Sequence, residues 1–211
     1  MLSGMIGSAL RPTSVLFCLS LYLLPAAGGA EEIQGYGPWT FGMTPAEVQA
    51  VGQYGPYSKV PSTGGLETMN GDFGGQKTPI SFVFRPAGLY QIQIWLYTGP
   101  SFDEAVAALH RAYLDLGRTF GPLGSTGGAL AADLDPKQLA GKIGPEFADP
   151  KESLLPRLRA GGTVQVSTIT FRIAPAALPT AARDVHADLI RSPELGSYYV
   201  FLYYRAPLLG K

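Results

Sequence analysis

Hydrophobic and polar residues alternate along two neighbouring stretches of the chain. Every second position is apolar in both, namely Ile80, Phe82 and Phe84 in the first and Tyr90, Ile92, Ile94 and Leu96 in the second. A period of two is typical of β-strands with one buried side. Pro86-Ala87-Gly88 lies between the two stretches and places glycine where a turn tolerates positive φ. The pattern therefore predicts an antiparallel hairpin.

Two helices are predicted from hydrophobic spacing and from capping residues. After Ser101, apolar residues recur at steps of four and three, at Phe102, Val106, Leu109, Tyr113, Leu116 and Phe120. Such a stripe is typical of a helix that lies on a core, and Gly117 or Gly121 is expected to end it. A shorter helix of about two turns is predicted to begin at Thr44-Pro45-Ala46-Glu47, because these residues form a capping box with proline at the first helical position.

The C-terminal third of the chain has further strand patterns. Val185, Ala187 and Leu189 alternate with polar residues, whereas residues 198–204 are apolar or aromatic on both faces. The latter run favours a central strand covered on both sides, or a strand whose second face is a binding surface. Val164 and Val166 alternate at even positions, whereas Ile169, Phe171 and Ile173 alternate at odd positions. A bulge or break in the strand is therefore expected near Ser167-Thr168.

These patterns predict an α+β fold in which short capped helices pack on antiparallel β-sheet. The order of one helix and three strands is predicted twice along the chain. The two halves are an N-terminal half (31–121) and a β-rich C-terminal half (163–211). Together they could form one continuous sheet or two layers side by side. Residues 122–162 are rich in glycine, alanine, proline and charge. We interpret them as a long connection and favour mobility, although Asp135-Pro136 has cap chemistry for a short helix.

The first thirty residues have the pattern of a secretory signal peptide. Arg11 is their only charge, and the mostly apolar run from Val15 to Leu24 precedes small residues that end at Ala30. Ten helical residues span about 15 Å, half of the roughly 30 Å hydrocarbon core of a bilayer. We therefore predict export, with cleavage after Ala30 or one residue earlier. An uncleaved anchor or a buried N-terminal helix is the alternative.

Composition limits the partner and the way in which the fold is stabilised. The 211 residues include 16 basic and 16 acidic side chains, and loss of Arg11 with the leader leaves a net charge of −1. That balance lacks the electrostatic footprint of a nucleic-acid binder. Cys18 is the only cysteine and lies in the leader, so we expect a disulfide-free mature protein. We expect it in the periplasm or outside the cell, without a stable membrane anchor. Its oligomeric state is left open.

One local segment carries a resemblance to known proteins. Residues 41–48, Phe-Gly-Met-Thr-Pro-Ala-Glu-Val, are similar to the helix-opening segment of the β-lactamase inhibitor protein family and of the small lipoprotein of the outer-membrane β-barrel assembly machinery. Those exported α+β proteins act by binding other proteins. The segment occurs once here, and the mature chain lacks both the inhibitor's cysteines and the lipidated cysteine. The resemblance implies an architecture and a protein-binding role, without any contact residue.

Aromatic residues on predicted strands are the candidates for such a binding surface. The set is Trp39, Trp95, Tyr97, Tyr198, Tyr199, Tyr203 and Tyr204. We expect more than half of them in the core, because aromatic residues are mostly buried. Trp95, Tyr97, Tyr199 and Tyr203 are the predicted binding residues, and an envelope or extracellular protein is the predicted partner.

A hydrolase is the alternative function, with a site assembled from residues distant in sequence. It would use His110 or His186 together with Asp103, Asp184 or Asp188. Without a nearby nucleophile, His186 and Asp188 are expected to be an exposed polar pair on one strand face.

We predict no cofactor and no metal. The loop 71–78 approaches a phosphate-binding motif, but Gln76 stands where that motif requires glycine, and a strand is predicted to follow.

Overall fold

In the part of the chain that the structure describes, a large antiparallel sheet of nine strands dominates. The computed structural model describes residues 34–125, 128–144, 147, 168–176, 184–192 and 195–206. Three features of the sequence analysis lie outside these residues: the predicted leader, the expected break near Ser167 and the segment 148–162. All of these described residues belong to one compact unit.

The strands follow one another in a mostly meandering order. A small sheet pairs β1 with β2, and the large sheet has the order β3-β4-β5-β6-β11-β10-β9-β7-β8. Their bounds are β1 Gly35–Tyr36, β2 Trp39–Thr40, β3 Tyr57–Val60, β4 Gly65–Phe73, β5 Gln76–Arg85, β6 Gly88–Gly99, β7 Leu123–Ser125, β8 Gly128–Ala129, β9 Ile169–Pro175, β10 Asp184–Ser192 and β11 Ser197–Arg205. Pairing of β6 with β11 joins the N-terminal and C-terminal halves in one continuous sheet.

Within the described ranges, three helices accompany the sheet. They are α1 (Pro45–Ala50), α2 (Phe102–Phe120) and α3 (Pro136–Ile143), and a short 3-10 turn covers Gly52–Tyr54. The helix α2 packs on the central strands and α3 packs on α2, so the main core lies between α2 and one face of the sheet. No helix in the described ranges is long and apolar enough to span a membrane.

The predicted starts of α1 and α2 are confirmed, and the two helices are capped in different ways. At α1 the Thr44 hydroxyl accepts the Glu47 N–H while the Glu47 carboxylate accepts the Thr44 N–H, which is the full capping box. At α2 the Ser101 hydroxyl accepts the Glu104 N–H. The Glu104 carboxylate, however, accepts a hydrogen bond from the Tyr97 hydroxyl, at 2.9 Å.

The predicted hairpin and the predicted central strand are both present. Strands β5 and β6 pair through a turn at Arg85 and Gly88, and β11 lies between β6 and β10 in the middle of the sheet. The α+β architecture on antiparallel sheet is confirmed. The order of one helix and three strands is matched only in part, since four strands follow α1, and β7, β8 and α3 precede the last three strands.

Regular structure is present in the described part of the expected connection, residues 122–125 and 128–144. These residues form β7, β8 and α3, and Asp135 caps α3 with a full capping box. Leu130, Leu134, Leu139 and Ile143 are buried in the main core. Leu139 and Ile143 lie four residues apart on α3, which packs on α2, whereas Leu130 and Leu134 are buried in the chain before that helix. Their burial stabilises an ordered conformation despite the abundance of glycine and charge.

Candidate functional site

Alternation along the central strands gives the sheet two chemically different faces. On β10, Val185, Ala187 and Leu189 belong to the core beneath α2. The residues between them, His186 and Asp188, therefore point to the opposite face. Strand β11 alternates in the same way, so its aromatic residues divide between the core and the face opposite α2.

Four aromatic side chains form a continuous cluster on the face opposite α2. We call this cluster the aromatic face; it consists of Trp95, Tyr199, Phe201 and Tyr203. The Trp95 and Phe201 rings meet edge to face with their centroids 4.9 Å apart. Phe201 lies between Tyr199, at 6.1 Å and nearly parallel, and Tyr203, at 5.9 Å. These distances lie within the range of favourable ring contacts, so the rings support one another.

A row of four charged side chains and one histidine runs across β9, β10 and β11 beside the aromatic face. We call it the ionic row; it consists of Arg172, Asp188, His186, Asp184 and Arg205. Arg172 donates two hydrogen bonds to the Asp188 carboxylate, from Nε at 2.7 Å and from Nη2 at 2.9 Å. At the other end, Arg205 donates to Asp184 Oδ2 at 2.8 Å. The His186 ring lies between the two carboxylates.

The ionic row and the aromatic face are in direct contact. The His186 ring stacks on Tyr203 with centroids 4.8 Å apart and planes 29° apart. The Arg205 guanidinium lies over the same tyrosine, 4.9 Å from its ring centroid. A cation over a tyrosine ring at this distance is attracted by the ring quadrupole. Tyr203 therefore contacts both the ionic row and another ring of the aromatic face.

Burial and neighbouring charge shift the pKa values of three groups in this region. Burial alone would raise the pKa of Asp188, but hydrogen bonds and charge from Arg172 and His186 outweigh it and lower that pKa below its usual range. The hydrogen bond to Asp188 in turn raises the pKa of Arg172. Burial, with a contribution from the Asp188 charge, raises the pKa of Tyr203 to about 12. At neutral pH Asp188 is therefore an anion and Tyr203 is a neutral phenol.

Three of the four predicted binding residues lie together on the aromatic face, and the fourth does not. Trp95 and Tyr199 are half-buried, and Tyr203 is 9% exposed. Tyr97 was expected on the same strand face as Trp95. The register is irregular here, because Phe201 pairs with Trp95 while Val200 pairs with Tyr97, and this turns Tyr97 toward α2. There its hydroxyl bonds to the Glu104 side chain and accepts the Ser101 N–H.

The remaining aromatic candidates pack in the core. Trp39, Tyr198 and Tyr204 are buried among its apolar side chains. Tyr203 is also buried, but on the opposite face, so four of the seven candidates are buried and three of them lie in this core.

The residues of the hydrolase alternative are divided between the two sides of the sheet. His110 lies on α2, where its Nε2 is 2.8 Å from the Leu134 carbonyl oxygen. His186 lies on the opposite face with Asp184 and Asp188. The expectation that His186 and Asp188 form an exposed pair is wrong, since they are 0% and 4% exposed. Their strand is central in the sheet and flanked by β9 and β11, which a single-strand pattern does not reveal.

Sequence reasoning missed Phe201, Arg172 and Arg205 as members of this region. Phe201 shares its face with Tyr199 and Tyr203 by simple alternation, so the sequence did contain a signal for it. Arg172 and Arg205 come to β10 through strand register, because Arg172 pairs with Asp188 and Arg205 pairs with Asp184. A pairing between residues distant in sequence has no local signal.

Across the part of the chain that the structure describes, no group of three or more His, Cys, Asp or Glu residues is placed to hold a metal ion. In the ionic row both carboxylates already accept hydrogen bonds from guanidinium groups. Two arginines beside a cation would repel it. Comparison of the whole chain with protein-family models, with curated proteins and with solved structures gave no match.

Proposed function

We propose that this is an exported, non-catalytic protein that binds another protein of the cell envelope or the extracellular space through the aromatic face. The observation that carries the proposal is the continuous ring cluster of Trp95, Tyr199, Phe201 and Tyr203 on the sheet face opposite α2. Tyrosine and tryptophan are enriched at protein contacts because they bury a large area and keep a polar group. The partly exposed ends of the ionic row, Arg172, Asp184 and Arg205, are suited to the polar rim of such a contact.

The aromatic face is held rigidly, which favours binding. Strand β11 is paired on both sides, with β6 and with β10. Trp95 is oriented by a hydrogen bond from its Nε1 to the Ser81 hydroxyl, at 3.0 Å. A surface that is ordered before the partner arrives loses less conformational entropy on binding.

The proposal also includes export and a similarity of architecture to known binding proteins. The apolar leader before Ala30 supports export, and the segment 41–48 supports an architecture like that of the β-lactamase inhibitor and small-lipoprotein type. The structure gives this segment a specific role in the fold. The Gly42 N–H bonds to the Leu89 carbonyl and the Leu89 N–H bonds to the Met43 carbonyl, so the segment joins α1 to the β5–β6 turn.

The hydrolase alternative has less support from the geometry. His186 is fully buried, and each of its ring nitrogens faces a carboxylate that is already paired with an arginine. A general base must reach the proton that it removes from the substrate. His110 is on the other side of the sheet and approaches a backbone carbonyl.

Tagged full-length protein, purified and immobilised, tests the binding proposal against an envelope fraction. The test variant is Tyr199→Ala, which removes a half-buried ring of the aromatic face. The control is Leu114→Ala, which removes a 43% exposed apolar side chain of α2 on the other side of the sheet.

We expect the native protein and Leu114→Ala to retain the same specific protein. Tyr199→Ala should bind it at least about tenfold more weakly, which corresponds to about 1.4 kcal/mol. Both variants are first shown to unfold at denaturant midpoints close to that of the native protein. Equal retention by Tyr199→Ala and Leu114→Ala, or retention of nothing above background, would contradict the proposal.

A further inference from the structure

Arg172 has an unused hydrogen-bonding edge beside the aromatic face. Its Nε and Nη2 donate to the two oxygens of Asp188, at 2.7 and 2.9 Å. A guanidinium is a planar fork of five N–H donors, and more than one of its edges matches the two oxygens of a carboxylate. The ion pair with Asp188 occupies the edge formed by Nε and Nη2. On the remaining edge, Nη1 has no hydrogen bond to any residue that the structure describes.

The two members of this ion pair differ in exposure. The Arg172 side chain is 44% exposed, whereas the Asp188 side chain beneath it is 6% exposed. Asp184, the other carboxylate of the ionic row, lies four residues away along β10, about 13 Å, and is paired with Arg205. The charges of the row balance as a whole, but the charge exposed at this end of it is the Arg172 cation.

The free edge of Arg172 is next to the exposed rings. In the strand register Asp188 lies opposite Phe201 on one side and opposite Arg172 on the other. Neighbouring strands are about 4.8 Å apart, and the guanidinium extends from β9 to the carboxylate on β10. A partner that covers Phe201 and Tyr199 therefore also covers Arg172.

The chemistry of Arg172 selects the group that covers it. Its two hydrogen bonds to a buried carboxylate fix the guanidinium, so little conformational entropy is lost when a partner binds. An apolar partner would remove water from Nη1 and leave this donor without an acceptor, which is unfavourable. A carboxylate supplies acceptor oxygens in the geometry of the free edge, together with a compensating negative charge.

We propose that the partner segment that covers the aromatic face carries an aspartate or glutamate whose carboxylate binds the free edge of Arg172. The inference rests on the proposed function, because it names the chemistry of the partner at the same surface. The segment is acidic and apolar together, with an apolar side chain on the rings and a carboxylate on the guanidinium.

A displayed library of random peptides is the probe for this chemistry. The C-termini of the peptides are covalently attached, so that only side chains offer carboxylates. The immobilised full chain selects from the library, and peptides that bind Tyr199→Ala equally well are discarded. We expect the remaining peptides to share an aspartate or glutamate beside an apolar residue. In a synthetic copy, exchange of that acid for its amide should weaken binding by at least about tenfold.

Variants of the protein assign the acid preference to Arg172. Arg172→Gln combined with Asp188→Asn removes both charges and leaves no buried carboxylate without its cation. Arg172→Lys keeps a cation beside Asp188 but has no second edge. In both variants the acid and amide peptides should bind within about threefold of each other. Arg111→Gln removes an exposed cation of α2 and should keep the tenfold difference. Urea midpoints first establish that each variant is folded.

The outcomes separate this inference from the proposed function. Peptides that need Tyr199 but bind equally well as acid and as amide would overturn the inference and leave the proposed function in place. An acid preference that persists in a folded Arg172 variant would also overturn it. Selection of no peptide that needs Tyr199 would contradict the proposed function itself.

Discussion

Replacement of Gly88 by alanine is the sharpest test of how the first helix is held on the sheet. Gly88 lies in the β5–β6 turn with φ of +105°, and a Cβ atom there would come within 2.1 Å of the Gly42 carbonyl oxygen. Beside this contact, the Gly42 N–H bonds to the Leu89 carbonyl at 3.0 Å and the Leu89 N–H bonds to the Met43 carbonyl at 2.7 Å. The turn and the segment before α1 can approach this closely because Gly88 has no side chain.

The expected loss in the free energy of unfolding is the sum of two contributions. An alanine held at positive φ costs about 1–2 kcal/mol. The clash with Gly42 moves the two segments apart, and each lost backbone hydrogen bond costs about 1 kcal/mol. We therefore expect Gly88→Ala to lower the free energy of unfolding by about 3–4 kcal/mol, a large part of the roughly 5–15 kcal/mol of a typical domain.

Urea unfolding measures this loss, with Gly74→Ala as the matched control. Gly74 lies in the β4–β5 turn with φ of +61°, and a Cβ there would meet no atom within 4 Å. The control therefore includes the cost of positive φ without the clash and should lose about 1–2 kcal/mol. Equal losses for the two variants would refute the view that close backbone approach at Gly88 holds α1 on the sheet.

Two further predictions concern buried polar groups. Asp188→Asn should lower the free energy of unfolding by about 1–3 kcal/mol at neutral pH, because Arg172 loses an anionic acceptor. The pKa of Asp188 is lowered in the folded state, so its contribution is present above its unfolded value and is lost as the pH falls. The gap between the urea midpoints of native and variant protein should be constant above about pH 5 and should close in stronger acid; a gap that stays open there would contradict the reasoning. Tyr113→Phe should cost about 1–3 kcal/mol and speed hydrogen exchange at Leu134, whose buried N–H bonds to the tyrosine hydroxyl at 3.2 Å. Tyr97→Phe, with a half-buried hydroxyl, is its control, and similar losses for both tyrosine variants would count against burial as the cause.

Capping and periodicity in the sequence determined the local elements of this protein. The apolar stripe behind Ser101, the caps at Thr44 and Asp135, and the alternation around Gly88 each correspond to an element of the structure. These signals are local because a cap joins residues three apart and a strand face repeats every second residue. The composition of residues 198–204 likewise predicted a central strand, since both of its faces are apolar or aromatic.

The tertiary structure, in contrast, decided the register between strands and the contacts between side chains that are distant in sequence. An irregularity of one residue between Val200 and Phe201 sends Tyr97 to the helix side and leaves Trp95 on the aromatic face. The pairing of β9 and β11 with β10 brings arginines to both carboxylates that flank His186. Side chains along a strand point to alternate faces of the sheet, so a shift of one residue in register moves a side chain to the other face. No local sequence pattern specifies which residue of a distant strand lies opposite a given position. The sequence therefore specified the strands and helices, and long-range pairing specified which side chains meet on the aromatic face.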